Sequence, residues 1–122
     1  MRFVGNGIDI VHVNRFDSDN SEKLAERLLS KKELKYCRGK NNFLLHMAGR
    51  IAAKEAIYKS ISLYTDEYYW KDIAIISGKR APFIDPECRL ADFLDKNNLS
   101  LSLSISHDGD YAVAHAVVLS RN

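Results

Sequence analysis

From Phe43 to Leu63 the chain has apolar residues on nearly every side of an α-helix: Leu44, Ala48, Ile51 and Ala52 share a face with Glu55, while Met47, Ala53, Ile57 and Ile61 fall elsewhere. A helix apolar all round is a central one, so the remaining elements must surround it. The segment Arg50-Ile51-Ala52-Ala53-Lys54-Glu55-Ala56-Ile57-Tyr58-Lys59 sets an ionised carboxylate inside that surface. Burying a carboxylate without a partner is costly, so Glu55 is expected to meet a cation or metal, or to border a water-filled cleft. Lys59, one turn on, supplies only part of the charge required.

A second carboxylate lies in an unusual setting near the start. Val4-Gly5-Asn6-Gly7-Ile8-Asp9-Ile10-Val11 has strand character, and a period of two puts Ile8 and Ile10 on one face and Gly5, Gly7, Asp9 and Val11 on the other. Asp9 thus stands beside two positions without side chains, an arrangement found where a ligand or another backbone comes close. Packed on the central helix, whose Gly49, Ala52 and Ala53 also permit close approach, this strand could bring Asp9 and Glu55 to one small hollow. Spacing alone does not require the two to meet. Two oxygen donors with room for water and a phosphate are what Mg²⁺ asks of a protein.

Length and composition narrow the classes. The 122 residues are 46% hydrophobic and 28% charged, which predicts one soluble domain over residues 1–122 with a real core. A formal charge of +2 is too mild to argue for a nucleic-acid partner. Met1-Arg2 leads straight into a mixed segment without a long apolar run, so no membrane partner is expected and the default location is the cytoplasm. Cys37 and Cys88 are far apart and form no CxxC pair, which predicts reduced thiols.

Along the chain the pattern predicts a strand over residues 2–11, then a polar segment containing Arg15. Ser21 is the expected N-cap of a short helix carrying Leu24, Leu28 and Leu29. Ser30-Lys31-Lys32-Glu33 has the form of a capping box opening a second helix, which Gly39 would end. After the long helix come a strand at residues 73–76, a loop at 77–82 and a helix from Arg89 to Asp95. Leu101, Leu103 and Ile105 then alternate with Ser100, Ser102, Ser104 and Ser106, Asp108-Gly109 supplies a turn, and Tyr111 to Leu119 returns. With a two-residue loop, Ala112, Ala114 and Ala116 are expected opposite Ile105, Leu103 and Leu101. The expected fold class is α+β, a small, mostly antiparallel sheet packed on a long central helix. Ser106 and His107 end a strand at the hairpin tip, where a hydroxyl and an imidazole could bind a phosphate.

Three blocks now stand out: Gly7-Ile8-Asp9-Ile10-Val11, Ala48-Gly49-Arg50-Ile51-Ala52-Ala53-Lys54-Glu55-Ala56 with Lys59, and Leu103-Ser104-Ile105-Ser106-His107 followed by Tyr111-Ala112-Val113-Ala114. In order and approximate spacing they resemble the bacterial holo-[acyl-carrier-protein] synthases, the short class of 4′-phosphopantetheinyl transferases. The resemblance spans nearly the whole chain, and its most specific part is the Lys-Glu-Ala block in a small-residue helix.

The resemblance implies the 4′-phosphopantetheinyl transferase fold and transfer of that group from coenzyme A to a serine of apo acyl carrier protein, in fatty acid biosynthesis. It implies that Asp9 and Glu55 hold Mg²⁺ on the coenzyme pyrophosphate and that Lys59 contacts the phosphates. The serine hydroxyl must lose its proton, and Asp9 or Glu55, directly or through a metal-held water, is the candidate base. It also implies a homotrimer with sites between neighbours, Asp9, Glu55 and Lys59 coming from one subunit and the Gly78 to Pro82 loop with Ser106 and His107 from the next. Arg50 joins these as a coenzyme-binding residue. Arg15 matches a basic residue used against the acidic carrier protein, and Lys23 and Arg27 could extend that patch. Two departures are visible: Gly78-Lys79-Arg80-Ala81-Pro82 replaces the family's Gly-x-Pro, and an aromatic run, Tyr64-Thr65-Asp66-Glu67-Tyr68-Tyr69-Trp70, replaces a glycine-rich stretch. That run is expected to plug the core or a trimer contact.

Two other classes remain. An Mg²⁺-dependent nucleotide phosphohydrolase could use Asp9 and Glu55, but Asp108-Gly109 beside His107 reads as turn chemistry rather than a metal pair. A non-catalytic binding module would explain the basic residues. It would not explain carboxylates set among glycines and alanines.

Overall fold

The structure, a computed structural model, describes residues 1–122. Strand β1 (Arg2–His12) leads through a 3₁₀ turn (Val13–Phe16) to α1 (Ser21–Leu28), α2 (Lys31–Arg38) and the long α3 (Phe43–Ser60). A second 3₁₀ turn (Trp70–Asp72) precedes β2 (Ile75–Ser77), β3 (Pro82–Ile84), α4 (Arg89–Lys96), β4 (Leu99–Asp108) and β5 (Tyr111–Ser120). β1, β5 and β4 form one antiparallel sheet in that order, and β2 and β3 form a separate hairpin. This is the α+β arrangement the pattern predicts.

Helix α3 lies across one face of the sheet, and small side chains let it come close. Ala112, Ala114 and Ala116 on β5 and Ala48, Ala52, Ala53 and Ala56 on α3 are all fully buried. On β1 the contact is tighter still. A Cβ built on Gly5 would stand 2.4 Å from the Ser60 carbonyl oxygen, and one on Gly7 would stand 2.0 Å from that of Ala56. Only glycine allows these approaches, which is the physical reason for the Gly-x-Gly spacing before Asp9. Gly7→Ala is therefore expected to push β1 off α3 and to cost about 1–3 kcal/mol, the usual range for overpacking. Chemical denaturation checks this, and an unchanged midpoint would refute the close approach.

The ends of the elements follow local chemistry in most places. Ser30 Oγ accepts from the Glu33 N–H at 3.2 Å and Glu33 Oε1 accepts from the Ser30 N–H at 2.8 Å, completing the expected capping box. Asn42 Oδ1 accepts from the Leu45 N–H and opens α3. Ser21, by contrast, lies inside α1, whose N-cap is Asn20 without a side-chain bond. The hairpin turn is Gly109-Asp110, with Asp108 still paired to Tyr111 and Gly109 at φ +57°. A glycine at the first central position matches a type II′ turn. Ala112, Ala114 and Ala116 consequently pair with His107, Ile105 and Leu103, two residues from the expected register. A shift of two leaves every side chain on its expected face. The short β3 was not expected from the sequence, because its three residues are too few to show a period.

The buried charges of α3 differ from expectation. Glu55 is only half-buried, whereas Lys54 is 1% exposed and pairs with Glu33 of α2 at 2.7 Å. Lys54 Nζ also donates to the Trp70 carbonyl at 2.8 Å, and Glu33 Oε2 accepts from the Ile75 N–H at 3.1 Å. One ion pair thereby ties α2, α3, the second 3₁₀ turn and β2 together. Burial pulls the Lys54 ammonium below its ordinary pKa, and Glu33 acts against that.

Candidate active site

A basic pocket of about 180 Å³ opens between α3, the 77–82 loop and the end of β4. Arg50, Gly78, Pro82 and His107, all expected at a coenzyme site, line it, together with Tyr36, His46 and Arg80. Gly49 lets β4 approach, for a Cβ there would lie 3.2 Å from His107 Nε2. Arg50 is 5% exposed; its guanidinium lies 4.6 Å from the Tyr36 ring centroid and bonds to the Ser77 hydroxyl. Its Nε has no partner, no carboxylate pairs with it, and no acidic residue lines the pocket. The His46 and His107 rings meet edge to face at 6.1 Å, and burial, then repulsion from His107, Lys40 and Arg50, lowers the His46 pKa. A buried guanidinium without a counter-ion, beside a second arginine and two imidazoles, makes a receptor for a polyanion.

Ser106 does not line this pocket. Strand alternation sends it to the opposite face of β4 from His107, the face on which β1 exposes Ile8 (60%) and Ile10 (57%).

Asp9 and Lys59 meet elsewhere. Lys59 Nζ lies 3.2 Å from Asp9 Oδ1 and 2.9 Å from the Ile8 carbonyl, in a shallow hollow also lined by Ile10 and Val113. Lys59 thus pairs with Asp9 rather than with Glu55. Glu55 has no ion pair or hydrogen bond within the chain and lines a third hollow with Lys54, Tyr58, Tyr68, Tyr69, Trp70 and Ile73. Tyr68, Tyr69 and Trp70 of the aromatic run form much of that wall, and Tyr68 and Trp70 also pack against the core, one of the two places expected for the run. Along the β1–α3 contact, Gly5 faces Ser60 and Gly7 faces Ala56 and Lys59. Asp9 and Glu55 line separate hollows on either side of Lys59 and Tyr58 of α3. Two hard oxygen donors, one of them unpaired, fit Mg²⁺, which is commonly held by one or two carboxylates plus phosphate and water.

Arg15, Lys23 and Arg27 are exposed and form no ion pair. On α1 the acidic Glu22 and Glu26 are both engaged by Arg38 of α2, which leaves Lys23 and Arg27 as unopposed positive charge one turn apart.

Sequence reasoning missed Tyr36 and His46, and it placed Arg80 only as part of the Gly78 to Pro82 loop. His46 had a usable signal, since positions 46, 49 and 50 fall on one helix face. Tyr36 joins only through the packing of α2 on α3.

No helix is long and apolar enough to cross a membrane. The profile of the 4′-phosphopantetheinyl transferase superfamily matches residues 5–116. A holo-[acyl-carrier-protein] synthase of Geobacter sulfurreducens is 41% identical, covering 96% of this chain and 97% of its own. Among solved structures, the holo-(acyl-carrier-protein) synthase of Bacillus anthracis, in complex with CoA (3′,5′-ADP), superposes with TM-score 0.79 at 31% identity over 98% of this chain and 99% of its own. The Helicobacter pylori enzyme in complex with coenzyme A gives 0.75 at 37% identity over 93% of this chain and 98% of its own. With this fold, these carboxylates and this polyanion pocket, the chain belongs to the 4′-phosphopantetheinyl transferase superfamily, among the holo-[acyl-carrier-protein] synthases.

Proposed function

We infer that the chain transfers the 4′-phosphopantetheine group of coenzyme A to a serine of apo acyl carrier protein, releasing adenosine 3′,5′-bisphosphate. The observation that carries the substrate is Arg50, a buried guanidinium with no counter-ion, aligned with Arg80, His46 and His107. The coenzyme's phosphates supply the missing negative charge. The serine oxygen bonds to the β-phosphorus, the bond from that phosphorus to the bridging oxygen breaks, and the bisphosphate leaves with the electron pair. Asp9 and Glu55 are the acceptors at hand for the hydroxyl proton. Lys59, held by Asp9 and the Ile8 carbonyl, presents its ammonium to the phosphates. Mg²⁺ on Asp9 and Glu55 would neutralise phosphate charge during transfer. Incubation with coenzyme A, Mg²⁺ and apo acyl carrier protein, followed by intact mass, tests the reaction. A carrier protein of unchanged mass would refute it.

The active unit is a homotrimer in this reading, with the basic pocket of one subunit completing the Asp9–Glu55–Lys59 side of the next. Two features support it: the two halves occupy separate hollows of one chain, and Ile8 and Ile10 stand exposed on a sheet face that no element covers. If so, mixing inactive His107→Ala with inactive Glu55→Ala restores part of the activity, because mixed assemblies contain interfaces with both residues intact. No recovery after demonstrated subunit exchange would place the site within one chain.

The unpaired Arg15, Lys23 and Arg27 form the docking surface for the acidic carrier protein. Arg15→Glu is expected to raise the KM for carrier protein about tenfold or more, the effect of placing like charges together, with the KM for coenzyme A nearly unchanged. Salt should slow the wild type at subsaturating carrier protein. Equal loss of affinity for both substrates would assign Arg15 to the fold.

A further inference from the structure

Tyr36 of α2 stands among the cations of the basic pocket. The Lys40 ammonium lies 4.8 Å from its ring centroid, the Arg50 guanidinium lies 4.6 Å from it, and the His46 ring meets it edge to face at 5.6 Å. His107 of β4 approaches His46 from the other side at 6.1 Å, and Arg80 enters the same pocket from the 77–82 loop. The charged groups that act on His46 are thus cations, and no carboxylate lines the pocket.

Arginine, lysine and tyrosine do not titrate near pH 7, so the charge of this pocket can change only at its two imidazoles. His107 is exposed, whereas His46 is half-buried. Burial, then repulsion from His107, Lys40 and Arg50, lowers the His46 pKa from its ordinary value of 6.5, which leaves the ring neutral at pH 7 in the free protein. A phosphate dianion in the pocket reverses the local field and raises that pKa again.

We propose that His46 takes a proton from solvent when the phosphates of coenzyme A enter the pocket, so that this one residue makes affinity for the coenzyme's charged end depend on pH. The proposal rests on coenzyme A being the substrate. Arg50 and Arg80 attract the anion at any pH, and His46 adds a further charge only when the anion is present. Below the His46 pKa of the free protein the proton is already in place and affinity is highest. Between that pKa and the raised value in the complex, binding takes up a proton and affinity falls as pH rises. Above both, the ring is neutral in either state and its contribution is gone. The released adenosine 3′,5′-bisphosphate keeps the same charged end, so it leaves more readily as pH rises.

Titration calorimetry of the protein with adenosine 3′,5′-bisphosphate, in buffers of different ionisation heat, counts the protons exchanged. At about pH 7.5 the ligand's phosphates are ionised, since their second pKa is about 6, so protons taken up there belong to the protein. The wild type is expected to take up a large fraction of one proton, His46→Gln close to none, and His107→Gln should still show uptake. Wild-type affinity should exceed that of His46→Gln about tenfold near about pH 6, the two converging by about pH 8.5, and the ligand's own titration cancels in that ratio. In the wild type, the ring C2 proton resonance of His46, one of four histidines, should titrate at a higher pH with the bisphosphate bound than without it. Binding without proton uptake, uptake that persists in His46→Gln, or a His46 titration unmoved by the ligand would each overturn the proposal. Uptake lost in His107→Gln but kept in His46→Gln would also overturn it, by assigning the proton to His107. A wild type that transfers normally while giving any of these results loses only the proton-linked role of His46. A wild type that neither binds the bisphosphate nor transfers would overturn the substrate assignment as well.

Discussion

Asp9→Ala and Glu55→Ala are each expected to lower phosphopantetheinyl transfer by about 10²–10³-fold, which corresponds to several kcal/mol of lost transition-state stabilisation. The unfolding midpoint should stay near that of the wild type. Glu55 is half-buried and makes no bond within the chain, so its removal breaks nothing and leaves only a small gap beside open space. Asp9 holds Lys59 at a partly exposed position, where an ion pair contributes little to stability. Both carboxylates are thus nearly idle in the resting fold, which is what a site that gathers metal and phosphates requires. In Asp9→Ala, Lys59 keeps the Ile8 carbonyl as an acceptor, so the loss falls on the metal or the proton rather than on the position of the lysine. Intact mass of the carrier protein over time gives the rate, and chemical denaturation gives the stability. Full activity in either variant with Mg²⁺ limiting would remove that residue from the site.

What could be read from the sequence depended on the range of the cause. The apolar character of α3, the glycine face of β1 and the Ser30–Glu33 capping box are written within a few residues, and each appears where expected. The serine-alternating strand likewise shows its period directly, which fixes the face of every residue but not the register. Register depends on whether Asp108-Gly109 or Gly109-Asp110 turns, and glycine at the first central position of a II′ turn decided for the second. The basic pocket was partly legible, since Arg50, Gly78, Pro82 and His107 do converge, with Arg80 carried in by the same loop, while Tyr36 joins them only through packing between distant segments. The placing of charge on α3 was the hardest part. Lys54 and Glu55 are neighbours on a helix apolar all round, and helical period cannot say which of them the core encloses. The answer lies in Glu33, some twenty positions upstream, whose carboxylate caps α2, accepts from the Ile75 N–H and takes the Lys54 ammonium.

That same pair carries the largest expected effect on stability. Lys54→Met should destabilise the protein by about 3–5 kcal/mol, because it leaves the Glu33 carboxylate buried without its cation. Glu33→Gln should cost less, since a neutral amide leaves Lys54 the Trp70 carbonyl and can still accept from the Ser30 or Ile75 N–H. Combining Glu33→Gln with Lys54→Met removes the orphaned charge, so the double variant should recover a large part of the loss caused by Lys54→Met alone. It would not recover everything, for the Trp70 carbonyl still lacks its donor and the wall opposite Glu55 is freed to move. Denaturation midpoints for the four proteins give the coupling energy, and Trp70 emission shows whether the wall has loosened. A strictly additive cycle, with the double variant as unstable as the two losses summed, would mean that Lys54 and Glu33 act independently and that neither mounts the hollow through the other.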